Sequence, residues 1–93
     1  MKIIKDREFL KKIELIYEYI KKDKPVASKK FVSTLNSKIK NLKTFPKMYR
    51  KSIYFDDENY RDLIHEGYTV IYKIENDKII ILDIFKWSEN YEN

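Results

Sequence analysis

The sequence contains no cysteine, so neither a disulfide framework nor a thiolate-ligated zinc module is open to it, and the redox state of its compartment leaves no trace. Its one glycine, Gly67, cannot build the multi-glycine loop that cradles phosphates, and no nucleophile elbow is present. A lone histidine, His65, without a second imidazole or clustered carboxylates, makes no metal site, and no cofactor is expected. Long apolar runs are missing too. Ile79–Leu82 is too short to cross a membrane and Ile3-Ile4 too short for the core of a signal peptide, so no membrane role is expected and the cytoplasm is the expected location. Arginine is scarce: three residues, Arg7, Arg50 and Arg61, supply few of the planar forks that read phosphates or bases in bidentate fashion.

What remains is a 93-residue chain with 43% hydrophobic and 38% charged residues, including eight tyrosines, five phenylalanines and Trp87. That much aromatic bulk belongs to a folded chain, and the length predicts a single domain over residues 1–93. The net charge of +5 conceals a division. Residues 1–51 hold sixteen Lys/Arg against five acids, and residues 52–93 hold four against ten. From Lys24 to Lys51 there are nine cations and no acid. Lys29, Lys30, Lys38, Lys40, Arg50 and Lys51 form a candidate basic surface for nucleic acid or an acidic protein, unless lysine is simply the default surface residue here.

Phe9, Ile13, Ile16, Tyr17 and Ile20 recur at helical spacing behind Asp6, a candidate N-cap, which predicts a helix from about Arg7 to Lys22. Pro25 suits the first turn of a second helix whose stripe is Ala27, Phe31, Leu35, Ile39 and Leu42, ending before Phe45-Pro46. Beyond Pro46 the period changes to two. Strands are predicted over Lys51–Phe55, Tyr60–His65, Tyr68–Ile74 and Lys78–Phe85, the last three joined by the two-residue turns Glu66-Gly67 and Asn76-Asp77, the latter read as type I′. The expected class is α+β: an N-terminal antiparallel helical hairpin on one face of an antiparallel meander, with Lys2–Lys5 as a possible edge strand.

Two-residue turns set a register, and simple alternation then sorts side chains by face. Leu63, Tyr68, Val70, Tyr72, Ile74, Ile79, Ile81 and Phe85 should floor the helices. The opposite face would carry Tyr60, Asp62, Ile64, Thr69, Ile71, Lys73, Ile80, Leu82, Ile84 and Lys86. A solvated sheet face should be polar, so the apolar group of Ile64, Ile71, Ile80, Leu82 and Ile84 implies either a partner surface or an internal cover from another part of the chain. Arg61 and Asp83, on strands flanking a common neighbour, are expected to form a semi-buried structural ion pair.

Phe45-Pro46, Tyr60-Arg61-Asp62-Leu63, the run Gly67 to Ile74 reading G-Y-T-V-I-Y-K-I, Asn76-Asp77 and Ile79–Phe85, in this order and spacing, resemble the RelE/ParE superfamily of bacterial type II toxins over nearly the whole chain. The resemblance implies two helices on an antiparallel sheet, a growth-inhibiting toxin of the plasmid-stabilisation kind, and an acidic cognate antitoxin whose C-terminal segment wraps it. Ile64, Ile71, Leu82 and Ile84, with Trp87 beyond the last strand, are the expected antitoxin contacts. The sequence leaves a homodimer open as well.

The superfamily divides into ribosome-dependent mRNA endonucleases, like RelE, and non-nucleolytic poisons of DNA gyrase, like ParE. Cleavage through a 2′-hydroxyl needs cations around the phosphorane and groups that move protons. RelE-like enzymes set an arginine after the Gly-Tyr of the third strand and lysines on the strand before, whereas the matching positions here are Thr69, Tyr60 and Asp62. The Arg-x-Leu before a Gly-Tyr-x-Val-x-Tyr strand is similar to the ParE-like branch, which implies gyrase as the target and no catalytic residues. The alternatives are a rearranged ribosome-dependent nuclease built from Arg50, Lys51, Lys86 and Tyr91, acting on mRNA, and a non-toxic nucleic-acid-binding relative.

Overall fold

The computed structural model describes residues 1–86. Strand β1 (Lys2–Lys5) leads through Asp6 into helix α1 (Arg7–Asp23), and Lys24 alone separates α1 from α2 (Pro25–Asn41). Asp6 caps α1: its Oδ2 accepts the Glu8 amide at 3.1 Å, as expected of a short acidic side chain ahead of an amphipathic stripe. Phe9 is buried, with Ile13, Ile16 and Ile20 half-buried beside it. Pro25 opens α2, where the missing amide would have had no helical partner. The α2 stripe starts one residue later than expected: Ser28, Phe31, Leu35, Ile39 and Leu42 are buried and Ala27 is exposed. Ser28 tolerates this because its hydroxyl donates to the Pro25 carbonyl at 2.7 Å.

The sheet adds β2 (Arg50–Lys51), β3 (Tyr60–His65), β4 (Tyr68–Glu75) and β5 (Lys78–Lys86), ordered β1-β5-β4-β3-β2. β1 pairs parallel with β5 and the other neighbours are antiparallel, so the sheet is mixed, with two helices on one face. Glu66 (φ 46°) and Gly67 (φ 84°) both take the positive φ of a type I′ turn. At Asn76-Asp77 positive φ is confined to Asn76 (53°), the pattern of a type II′ turn rather than the expected type I′.

Two departures from the expected sheet bear on function. The ladder between β4 and β5 slips at Leu82: Tyr72 pairs with Ile81 but Ile71 with Asp83, Val70 with Ile84 and Tyr68 with Lys86. This β-bulge carries Ile84 into the helix-side core at 1% exposure and turns Phe85 to the other face. Simple alternation would have set the Asp83 carboxylate against buried Val70. In its bulged position its Oδ1 instead meets Lys12 Nζ of α1 and the Ile84 amide, each at 2.8 Å. The second departure is the fate of Lys51–Phe55. Only Arg50–Lys51 is strand, because the Ile53 amide donates to Asp62 Oδ2 (3.1 Å) and the Tyr54 amide to Ser52 Oγ (3.1 Å), which bends the chain over the sheet.

On the helix side, Tyr72 is fully buried and its hydroxyl donates to the Pro46 carbonyl at 2.7 Å. Arg61 donates to the carbonyls of Glu58 (2.9 Å) and Tyr49 (3.2 Å) and stands 3.9 Å from the Glu58 carboxylate. The expected Arg61–Asp83 pair therefore does not form. Arg61 fastens the loops that enter β2 and β3, while the bulge delivers Asp83 to Lys12.

Candidate functional site

The face opposite the helices is largely covered. The Ser52–Phe55 segment folds over it, with Tyr54 edge-on to Phe85 (centroids 5.4 Å apart) and Phe55 stacked on Tyr60 (4.3 Å). Beneath lie Thr69 and Ile71, both fully buried, and Asp62 at 1% exposure. Of the five expected antitoxin contacts, Ile71 is thus sealed under this segment and Ile84 belongs to the core on the other side. Ile64 and Leu82 remain half-buried on the open face, and Trp87 lies outside the described residues. Of the two meanings of an apolar sheet face, internal cover accounts for its centre.

Asp62 dominates the electrostatics of that face. Its Oδ2 accepts the Ile53 amide and lies 3.4 Å from Arg50 Nη2, whereas Oδ1 and the nearby Thr69 hydroxyl are buried with no protein partner among the described residues. A carboxylate so enclosed draws the nearest guanidinium to itself. Arg50 is therefore engaged with Asp62, and Lys51 lies 3.7 Å from Asp56. Lys86 ends β5, three strands away from β2 with β4 and β3 between them, and its ammonium lies 5.6 Å from the centre of the Tyr19 ring on α1. Three strand spacings amount to about 14 Å. The fold does not gather Arg50, Lys51 and Lys86 around one reacting phosphate, and Tyr91 lies outside the described residues.

A more open surface lies at the edge where α1 passes β5. A groove of about 320 Å³ is lined by Leu15, Tyr19, Tyr68, Ile84 and Phe85 together with Lys12 and Lys86. Leu15 and Tyr19 are 64% and 65% exposed. Exposed apolar side chains lining a concavity mark a contact surface better than scattered ones do. Neither residue was among the expected sites. Their signal in the sequence is an i, i+4 apolar pair lying off the core stripe of Phe9, Ile13, Ile16 and Ile20.

The residues 3–91 match the family described as "ParE toxin of type II toxin-antitoxin system, parDE". The chain belongs to the ParE toxin family. Among solved structures, a chain of the "Chromosomal ParDE TA system from P. aeruginosa" superposes with a TM-score of 0.76 at 20% identity, covering 92% of this chain and 95% of that one, and so shares its fold. No curated protein sequence matches. The RelE/ParE reading and the α+β architecture with an N-terminal edge strand both hold for this ParE toxin.

The basic residues of this ParE toxin do not act as one surface. Lys29, Lys30 and Lys40 are exposed on α2, but Lys38 is half-buried and its ammonium donates to the Ile64 carbonyl at 3.4 Å. His65, 1% exposed, is a clasp between sheet and helix: Nε2 lies 3.0 Å from the Phe31 carbonyl and the ring packs 4.8 Å from the Phe31 ring. Burial pushes its pKa below the ordinary value, only partly opposed by that carbonyl, so the neutral ring donating from Nε2 is the form the site favours. Among the described residues no three His, Asp or Glu side chains are placed to hold a metal ion, and no helix is long and apolar enough to cross a membrane.

Proposed function

We propose that this ParE toxin arrests growth by binding DNA gyrase, performing no bond-breaking chemistry itself, and that an acidic antitoxin neutralises it by seating an apolar segment in the groove between α1 and β5. The observation that carries the target reading is Asp62. RNA cleavage through the 2′-hydroxyl builds negative charge on a pentavalent phosphorus, which a nuclease must meet with preorganised cations. The sheet face opposite the helices carries a buried carboxylate at its centre, and the adjacent Arg50 is held to it. Protein binding asks nothing of that face but shape.

The groove supports the antitoxin half of the reading. It offers Leu15 and Tyr19 as exposed apolar anchors and Lys86 beside them, a combination suited to an acidic segment with an apolar edge. Purified toxin should inhibit supercoiling by gyrase with accumulation of cleaved DNA complexes, and should leave mRNA intact on translating ribosomes. Ribosome-dependent mRNA cleavage that is lost in Lys86→Ala would overturn the gyrase reading in favour of a nuclease.

A further inference from the structure

The outward face of α2 has a composition that the antitoxin groove and the sheet do not use. Its exposed positions between residues 29 and 40 are Lys29, Lys30, Ser33, Asn36, Ser37 and Lys40. Among the described residues no carboxylate pairs with Lys29, Lys30 or Lys40, and the chain has no acid anywhere from Lys24 to Lys51. Asn36 Oδ1 accepts from Lys5 Nζ at 3.3 Å, which draws a further ammonium to the margin and leaves the Asn36 amide nitrogen as a donor.

We infer that this face binds the sugar-phosphate backbone of duplex DNA without reading its sequence. Three features favour that occupant. Lys29 to Lys40 spans about 16 Å of helix axis, and an equal length of duplex carries about ten phosphate charges. Lysine, serine and asparagine are backbone-contacting types, and the absence of arginine on the face removes the usual base-reading fork. A protein partner would want an apolar anchor, but Phe31, Leu35 and Ile39 are buried beneath the face and no exposed residue from Lys29 to Lys40 is apolar, the exposed Val26 and Ala27 lying in the first turn of α2 before the face begins. Single-stranded nucleic acid would want aromatic platforms, which the face also lacks. Such binding would set the toxin on the DNA that a topoisomerase holds, but it does not depend on the gyrase reading.

The test is fluorescence anisotropy of a labelled random-sequence duplex of about 20 base pairs against the 93-residue chain free of antitoxin. If Lys5, Lys29, Lys30 and Lys40 each meet a phosphate, raising salt from 50 to 200 mM should weaken binding about 150-fold, and in Lys29→Gln/Lys40→Gln the same change should cost only about 12-fold. The double variant should keep its circular dichroism spectrum and its affinity for antitoxin, because both substitutions lie away from the groove. No binding at 50 mM salt, a slope unchanged in the variant, tighter binding to a single strand, or preference for poly-glutamate over duplex would each overturn the inference. A toxin that fails here yet inhibits supercoiling keeps the gyrase reading and loses only this one.

Discussion

Truncating Leu15 separates a partner surface from a structural one. The residue is 64% exposed on α1, so its side chain contributes little to the folded chain alone, whereas an antitoxin filling the groove would remove it from water. Fully burying a leucine is worth about 1.5–3 kcal/mol, so covering the exposed two-thirds is worth about 1–2 kcal/mol, or about 5- to 30-fold in Kd. Leu15→Ala should lose that much affinity in an isothermal titration against the antitoxin, with its thermal midpoint nearly unchanged. Ile84→Ala is the contrast: at 1% exposure it belongs to the core, and removing it should cost about 2–5 kcal/mol of folding stability. Leu82→Glu, on the half-buried sheet face, should leave antitoxin affinity within about twofold, near the scatter of ordinary surface substitutions. Unchanged affinity in Leu15→Ala together with loss of binding in Leu82→Glu would refute the reasoning and return the antitoxin to the open sheet face.

Two stability predictions follow from buried titratable groups. Because burial lowers the His65 pKa below its unfolded value, the unfolded chain takes up the proton first. Stability should therefore be full above about pH 6.5 and fall as pH drops toward the folded pKa, by at most about 1.4 kcal/mol per pH unit, and urea midpoints should show that slope flattened in His65→Asn. Tyr72 has the opposite sense: burial pushes its phenol up to about 12, so the unfolded chain ionises first and stability should decline above pH 10. Tyr72→Phe should abolish that component of the alkaline decline and, by deleting the hydrogen bond to Pro46, lower stability at neutral pH by about 1 kcal/mol in denaturant titration.

The helices and the β3–β4 hairpin were legible because each has local signals that agree. Asp6 and Pro25 start helices whose apolar spacing is unambiguous, and Gly67 fixes a turn between two alternating runs. The bulge in β5 was not legible for the opposite reason. In Ile79-Ile80-Ile81-Leu82-Asp83-Ile84-Phe85 nearly every residue is apolar, so alternation has no contrast with which to choose a register, and only the misplaced Asp83 hints that a residue must be inserted. That single slip moved Ile84 from the expected sheet face to the helix side, where it joins the core beside the groove, and set Asp83 against Lys12 rather than Arg61. Ser52–Phe55 reads as strand by composition, but a tertiary contact, the buried carboxylate of Asp62 accepting the Ile53 amide, overrides local propensity.

The division of charge along the chain takes on a different meaning once partners are assigned. Several acids of the C-terminal half are occupied within the fold: Asp62 by Arg50 and the Ile53 amide, Asp83 by Lys12, and Glu58 by Arg61. Two of these partners, Lys12 and Arg50, come from the basic N-terminal half, so part of its excess is neutralised across the sheet. Lys29, Lys30 and Lys40 are exposed on α2, and among the described residues no carboxylate stands within ion-pair distance of them. At physiological ionic strength a charge acts over about 8 Å, so acids farther than that from the α2 face lower the net total with little effect on its potential. What an approaching polyanion meets is therefore the local field of α2, and a substitution that removed acids from the sheet, Asp62 above all, would disturb folding long before it altered that field.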